Sequence, residues 1–251
     1  MKTNVYILAH PDDEVMCLHS IMHMRTETKT YVLYLTDGKP DNSHFKISKR
    51  KSEAIHVSSR LGYFGNTIFF GETFGIQDGR LATSFRREDF GNLLKIVKDL
   101  SPDYVVSTIL EGGHQDHDAA YLITKKIAAV LNLQFLAYPC YCQTTSLPFY
   151  SVMKSSGNAL TKPATSIERL QMCYTAFLIM LRYRTQLKTW FGLGTQILLK
   201  YLFGNLVLNF NSDHQVSDVK NFLFETRGTF DSSNLKSFER ELYSWNTKVL
   251  D

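Results

Sequence analysis

Strand-like and helix-like segments alternate along the first 140 residues of the chain, and this alternation restricts the fold more than any other sequence feature. Five apolar or β-branched runs have the length of a strand, namely residues 5–9, 31–35, 67–70, 104–109 and 135–138. Segments with helical spacing separate them, at residues 14–24, 48–61, 85–100 and 118–131. Such alternation is typical of βαβ units with helices on both faces of a sheet. We therefore predict a doubly wound, Rossmann-like α/β fold with a mainly parallel sheet.

Beyond about residue 145 the pattern changes to long helical stretches. They cover residues 167–187, 216–225 and 234–249. No linker rich in Pro, Gly or Ser precedes them, so we expect a C-terminal helical extension that packs on the same domain.

A polar cluster follows the first predicted strand, where residues 10–14 read His-Pro-Asp-Asp-Glu. Ligands bind at the carboxyl ends of strands in this architecture, and Pro11 suits a rigid turn that displays one imidazole and two adjacent carboxylates. A helix N-cap is the alternative, because Asp favours a helix N-terminus. Capping accounts for one acidic residue, but not for His10 or for the second Asp.

A second polar cluster follows the fourth predicted strand, where residues 111–118 read Glu-Gly-Gly-His-Gln-Asp-His-Asp. In a doubly wound sheet the strand order reverses beside the first strand, so we expect the two clusters to converge. Together they offer imidazole and carboxylate ligands without a thiolate, which suits zinc or a similar divalent ion with an open water position. Taken alone, the second cluster could equally be a surface loop or a set of helix caps.

The two clusters are similar to the signatures of a known enzyme family. The chain resembles the LmbE/PIG-L family of zinc-dependent N-deacetylases, whose signatures are Ala-His-Pro-Asp-Asp-Glu and His-x-Asp-His, here at residues 9–14 and 114–117. Further similarities lie at Thr-Asp-Gly 36–38, Arg-x-x-Glu-Ala 50–54, Leu-Gly 61–62, Asp-Gly-Arg-Leu 78–81 and Tyr-Arg-Thr-Gln 183–186. The resemblance covers residues 1–190, which we predict to be the deacetylase domain, and leaves residues 191–251 as the helical extension.

The resemblance implies a role for each residue of the two clusters. It implies that His10, Asp13 and His117 bind zinc, although ferrous iron suits the same ligands. It makes Asp12 the general base and then the acid, and a protonated His114 the group that stabilises the oxyanion. Asp116 either orients an imidazole by accepting its second N–H or caps the following helix.

The resemblance also implies two substrate-binding residues. Arg50 would hold an anionic or hydroxyl-rich group of a sugar, and Asp78 would accept hydrogen bonds from ring hydroxyls. Arg50 also lies in a helix rich in basic residues, which is equally typical of a solvated surface, and Asp78 before Gly79 suits a turn. The chain departs from the family at Gln115, where members often have Pro, and at residues 112–113, near which some members have a tyrosine.

Charge and cysteine content limit the partners and the compartment. The formal net charge at pH 7 is +4, which is too small to indicate binding to nucleic acid. Four cysteines, at positions 17, 140, 142 and 173, are too few and too scattered for a secreted disulfide scaffold. We interpret them as ordinary thiols of a cytoplasmic protein.

A basic and apolar stretch covers residues 169–211. No acidic residue occurs between Glu168 and Asp213, whereas five basic residues interrupt a sequence rich in leucine and aromatic residues. Its uncharged pieces are shorter than the roughly 18 residues that a membrane-spanning helix needs. Either the stretch covers the core or a homo-oligomer interface, or it contacts anionic lipid at the inner face of the membrane.

The leading hypothesis from these observations is a metal-dependent hydrolase. It would remove an acetyl group from an N-acetylglucosamine-type sugar of a glycoconjugate or its precursor, by zinc-activated water with Asp12 as base. One alternative is an amidase that acts on an N-acylated thiol or a natural-product conjugate. The other is a metal-bound module that binds a sugar or lipid without turnover, against which the presence of both Asp12 and His114 argues.

Overall fold

A computed structural model describes residues 1–24, 27–38, 44–110, 112, 114–138, 140, 164–203 and 232–245, without the side chains of residues 44–46 and 232–233. A five-stranded parallel sheet runs through it in the order β3-β2-β1-β4-β5. The strands are β1 (Lys2–Leu8), β2 (Thr28–Tyr34), β3 (Thr67–Phe69), β4 (Tyr104–Thr108) and β5 (Gln134–Tyr138). The predicted doubly wound α/β class and all five predicted strands are therefore confirmed.

The middle strand, β1, pairs with β2 on one side and with β4 on the other. Val5 lies opposite Tyr31 in β2 and opposite Val105 in β4. The chain therefore leaves β1 in one direction across the sheet and later returns to β4 on the opposite side. This reversal of strand order opens a crevice at the carboxyl ends of β1 and β4, which is where ligands bind in such sheets.

The helices in the described ranges lie between and after the strands. The α-helices are α1 (Leu18–Met24), α2 (His44–Leu61), α3 (Phe70–Phe74), α4 (Leu81–Ser84), α5 (Arg87–Leu100), α6 (Gln115–Leu131), α7 (Ser166–Arg182), α8 (Leu187–Phe203) and α9 (Ser232–Ser244). Two short 3₁₀ turns lie at Asp13–Val15 and Arg184–Gln186. Across these described helices, none is both long enough and apolar enough to cross a membrane.

Alternate residues of β1 enter two hydrophobic cores, one on each face of the sheet, because side chains alternate along a strand. Val5 and Ile7 pack with residues of α5, α6 and α9. Tyr6 and Leu8 pack with residues of α1, α2, α7 and α8. Burial on both faces explains why β1 reads as a continuous apolar run rather than as an alternating one.

Two predicted helices are interrupted, and in both cases a residue of the polar clusters explains the break. The predicted helix 14–24 begins instead as the 3₁₀ turn Asp13–Val15, and α1 starts at Leu18. The tight turn lets consecutive acidic side chains point inward. The predicted helix 167–187 stops at Arg182, because Tyr183 leaves helical geometry and directs its hydroxyl to Glu14.

Some sequence predictions fall on other parts of the chain. Four predicted features lie outside the described residues. They are the predicted helix 216–225, the last residues of the predicted helix 234–249, residues 204–211 of the basic apolar stretch, and Cys142. The predicted boundary at residue 190 falls within α8, which is continuous from Leu187 to Phe203. Cys17 and Cys173 are free thiols.

The C-terminal helix α9 packs on the same core as α6 through Leu235, Phe238 and Leu242. Lys126 of α6 fixes its end, since the Lys126 ammonium donates hydrogen bonds to the carbonyl oxygens of Leu242 and Trp245, the latter at 3.0 Å. A cation at a helix C-terminus is favourable. The rings of Phe90, Tyr243 and Trp245 surround the same ammonium, with the Phe90 centroid at 4.7 Å.

We expect Lys126→Met to lower the free energy of unfolding by about 1–3 kcal/mol, because buried carbonyl groups at the end of α9 lose their donor. The matched control is the neighbouring Lys125→Met, which should have a much smaller effect. Urea unfolding followed by circular dichroism measures both variants. Equal losses in the two variants would contradict the anchoring role of Lys126.

Candidate active site

The structure brings the two polar clusters together at the carboxyl ends of β1 and β4. The rings of His10 and His114 have centroids 4.7 Å apart, and those of His10 and His117 are 5.3 Å apart. The loop after β1 supplies His10, and α6, which follows β4, supplies His117 in its first turn. Parallel pairing of the two strands is what makes these loops adjacent.

Asp13 lies between two imidazoles. Its Oδ1 is 3.1 Å from His117 Nε2, and its Oδ2 is 3.6 Å from His10 Nδ1. The same Oδ2 accepts the backbone N–H of His10 at 2.8 Å. The Asp13 carboxylate therefore lies next to His10 and His117, the other two residues predicted to bind zinc.

The electrostatics of this cluster follow from burial and from its mixture of charges. Burial by itself raises the pKa of Asp13, but His117 and His10 hold that pKa well below its usual value. Burial lowers the pKa of His10, but the carboxylates of Asp78 and Asp13 outweigh it and raise that pKa well above its usual value. The cluster therefore combines a stable carboxylate with a cationic imidazole. A divalent cation bound there could take the place of the positive charge on the imidazole.

His114 is the third imidazole of the site. One ring nitrogen of each of His10, His114 and His117 lies within 4.8 Å of the others. Burial and the neighbouring His10 lower the pKa of His114 to about 3, so its imidazole is neutral. Its Nδ1 accepts the backbone N–H of Asp116 at 3.1 Å, which leaves the ring hydrogen on Nε2. In the structure His114 is therefore a neutral hydrogen-bond donor, and the protonated form expected from the family resemblance stays a prediction.

Asp116 joins the second cluster to His10 and to the loop before α4. Its Oδ2 is 3.1 Å from His10 Nε2 and accepts the Gly79 N–H at 2.6 Å, while its Oδ1 accepts the Leu81 N–H at 3.0 Å. Of the two roles left open by the sequence, the contact with an imidazole is the one present. The helix cap is His114, and Asp116 lies inside the first turn of α6.

Asp12 occupies an unusual backbone conformation. Its φ is 144° and its ψ is −11°, a region that residues other than glycine rarely adopt. Arg50 Nη2 donates to Asp12 Oδ1 at 2.6 Å, and the Asp12 N–H donates to Glu14 Oε2 at 3.1 Å. Burial raises the pKa of Asp12 to about 6, against the opposing charge of Arg50.

The two residues predicted to hold substrate lie within this network. Arg50 is buried, which rules out the solvated basic surface, and it also donates to the carbonyl oxygens of Pro11 at 2.9 Å and Gly38 at 2.7 Å. It thus fixes the first loop and Asp12. Asp78 Oδ1 lies 3.2 Å from His10 Nε2, and the Asp78 side chain retains 15% exposure to solvent. Of the two, Asp78 is the better placed to meet a bound ligand.

Sequence reasoning missed the hydrogen-bond network behind Asp12. Glu14 is fully buried and accepts hydrogen bonds from the hydroxyls of Tyr34, at 3.1 Å, and Tyr183. Burial raises the pKa of Glu14 to about 8, against the opposing hydrogen bond from Tyr183. Glu14 belongs to the first family signature and Tyr183 to the similar segment 183–186, but the resemblance gave neither residue a role. Their place in these segments was the sequence signal that could have pointed to the network.

The residues present fit a divalent metal ion. Nitrogen and oxygen ligands converge from His10, Asp13 and His117, with the nitrogens of three imidazoles close enough to share one ion. All of these ligand side chains are largely excluded from water, and a set of this kind suits Zn²⁺ or Fe²⁺. His10, Asp78 and Asp116 form a second group within the same distance limits, which overlaps the first at His10.

Comparison with known proteins identifies the family. The family model described as PIG-L, GlcNAc-PI de-N-acetylase, matches residues 5–128, a range that contains both polar clusters. Residues 5–128 belong to the PIG-L family. The predicted family resemblance is thereby confirmed, and the PIG-L domain includes every site residue predicted from the sequence. No curated protein sequence matches the chain significantly.

Several solved structures share the fold of the PIG-L domain. A conserved protein from Thermus thermophilus is 19% identical with a TM-score of 0.58, covering 85% of this chain and 95% of its own. The zinc-inhibited form of teicoplanin deacetylase Orf2 is 16% identical with a TM-score of 0.55, covering 80% of this chain and 90% of its own. A 4-carboxy-2-hydroxymuconate hydratase from Pseudomonas putida is 14% identical with a TM-score of 0.54, and the match covers 86% of this chain and 99% of the hydratase. At these identities the likeness establishes the fold and not the reaction.

We expect Asp116→Asn to weaken zinc binding by roughly 10–100-fold, because the substitution removes the carboxylate that orients His10. Competition with a chromogenic chelator measures the affinity. Asp118→Asn is the matched control, since Asp118 is a buried carboxylate on the same helix that accepts the Gly112 N–H at 3.1 Å. An equal loss of zinc affinity in the two variants would show that helix integrity, and not the contact with His10, is responsible.

Proposed function

We propose that this protein is a metal-dependent hydrolase that removes an N-acetyl group from an N-acetylglucosamine-type sugar of a glycoconjugate or its precursor in the cytoplasm. The observation that carries the proposal is the position of Asp12, held by Arg50 beside a buried His/Asp cluster within a PIG-L domain. An oriented carboxylate next to a set of metal ligands is what amide hydrolysis by activated water requires.

The metal ligands in this proposal are His10, Asp13 and His117. The two oxygens of Asp13 already reach toward the two imidazoles, at 3.1 and 3.6 Å, which supports a shared ion at that point. When bound, zinc or ferrous iron would supply Lewis acidity, which makes water nucleophilic at neutral pH and polarises an amide carbonyl. Asp116 would keep His10 in its orientation through the contact with Nε2.

Asp12 moves the proton. Its carboxylate takes a proton from the attacking water as the water oxygen bonds to the amide carbon. It then delivers that proton to the departing nitrogen as the carbon–nitrogen bond breaks, so that acetate and a free amine result. The contact of Arg50 with Oδ1 fixes the direction of the Asp12 carboxylate through both transfers.

His114 stabilises the oxyanion in this proposal. A neutral imidazole whose Nδ1 accepts from the backbone carries its hydrogen on Nε2, and such an N–H can donate to developing negative charge. Donation from a neutral ring needs no protonation step before the reaction. For the sugar, Asp78 supports hydrogen bonding to ring hydroxyls, since its carboxylate is partly exposed beside His10.

We expect zinc-loaded protein to release acetate and primary amine in equal amounts from at least one member of a panel of N-acetylated sugars, sugar nucleotides and lipid-linked sugars. Asp12→Asn should lower kcat by roughly 10²–10⁴-fold and keep the metal, because only the proton acceptor is lost. His117→Ala should lose both metal and turnover. Acetate release is measured enzymatically, and metal content by inductively coupled plasma mass spectrometry.

The matched control is Asp99→Asn, which changes an exposed carboxylate near the end of α5 and should leave both readouts unchanged. Equal metal loss in Asp12→Asn and His117→Ala would refute the division of roles. Metal-loaded protein that releases acetate from no member of the panel would contradict the N-acetyl sugar as substrate. A second panel of N-acylated thiols and natural-product conjugates would then separate the amidase from a binding module without turnover.

A further inference from the structure

Helix α7 carries an apolar stripe on its outer face. Five of its large apolar residues are exposed, and they recur at intervals of three and four residues, which places them on one face of the helix. The residues are Ile167, Leu170, Tyr174, Phe177 and Leu181, with exposures from 46% to 69%. The opposite face of α7 enters the core through Met172, Ala176 and Ile179. Packing of α7 on the core therefore buries other apolar side chains and leaves this stripe exposed.

Helix α8, which packs against α7, also exposes large apolar side chains. Leu187, Phe191, Leu199 and Phe203 are exposed, with Phe191 at 91% and Phe203 at 80%. They spread over about half of the circumference of α8, whereas Leu193 and Ile197 on the opposite side are buried. Exposed apolar surface on this scale is typical of an interaction site. We call residues 167–203 the α7–α8 hairpin.

The charge of the α7–α8 hairpin indicates which kind of partner would bind to it. Between Glu168 and residue 203 the sequence contains no acidic residue. Arg182, Arg184 and Lys188 are exposed, and all three lie at or near the turn between α7 and α8. A second copy of the same face would bring these cations against one another, whereas an anionic surface would complement them. Exposed aromatic and aliphatic side chains with adjacent cations are typical of helices that lie in the interface of a bilayer.

We propose that the α7–α8 hairpin is a docking surface for the anionic face of a lipid bilayer. Apolar side chains of the two stripes enter the boundary between headgroups and acyl chains, and the three cations at the turn contact lipid phosphate and carboxylate groups. The surface is independent of the reaction proposed above, because none of its exposed residues belongs to the site.

The inner face of the hairpin contacts the active-site loop, so the docking surface has a fixed relation to the site. Tyr201 donates through its hydroxyl to the carbonyl oxygen of Val15 at 2.6 Å, and Tyr183 donates to Glu14. At the turn, Thr185 Oγ1 donates to Glu53 at 2.5 Å. The hairpin is thus fastened to the first polar cluster on one side while its other side is exposed.

The test is flotation of the 251-residue chain with vesicles of pure phosphatidylcholine and of an equal mixture of phosphatidylcholine and phosphatidylglycerol. We expect the protein to float with the anionic vesicles, less with the neutral ones, and less at high salt. Replacing Arg182, Arg184 and Lys188 by Gln should weaken partitioning by about fivefold for each cation removed. Phe177→Ser combined with Phe191→Ser should abolish flotation.

The matched control is Phe64→Ser, which removes an exposed aromatic residue that lies between α2 and β3. This variant should float like the unmodified protein. Absence of flotation with anionic vesicles would overturn the proposal, as would flotation unchanged by the hairpin substitutions. A dimer that Phe177→Ser dissociates in light scattering would assign the face to a second copy. A monomer that does not float would assign it to another segment of the same chain.

Discussion

The parallel pairing of β1 with β4 is the constraint on which the rest of the site depends. It places segments about a hundred residues apart in sequence side by side, as Asn4 and Tyr104 show. The contacts of Asp13 with His117 and of Asp116 with His10 both cross this junction. A change that shifted the register of these two strands would separate both pairs at once, because each pair takes one member from each side.

The site buries four acidic side chains, and its stability depends on how they are paired or hydrogen-bonded. Asp12, Asp13, Glu14 and Asp116 all have less than a tenth of their surface exposed. Buried carboxylates are costly unless they are paired or hydrogen-bonded. Arg50, the imidazoles of His10 and His117, and backbone N–H groups compensate the three aspartates. The hydroxyls of Tyr34 and Tyr183 hydrogen-bond to Glu14, whose raised pKa favours its neutral form. A divalent cation would add to this compensation, so that binding of a metal would also stabilise the fold.

The sequence was sufficient to predict the strands, the reversal of strand order and the meeting of the two polar clusters, because each depends on local pattern and on general rules of topology. It was not sufficient for the role of Arg50. Lys49 and Lys51 beside it suggest a solvated surface, and only the packing of α2 against the first loop shows that Arg50 turns inward. The neutral state of His114 depends on burial and on the nearness of His10, neither of which is visible in a linear motif. The break at Tyr183 likewise depends on a contact with Glu14, 169 residues away in the sequence.

The backbone of Asp12 carries a conformation that would suit glycine better than aspartate. Such a residue costs of order 1–3 kcal/mol and persists only where its surroundings enforce it, as Arg50 and Glu14 do here. Glycine at this position would relax the loop and remove the carboxylate. In the proposed mechanism, the strain at Asp12 is therefore stability given up for a proton carrier that glycine could not supply.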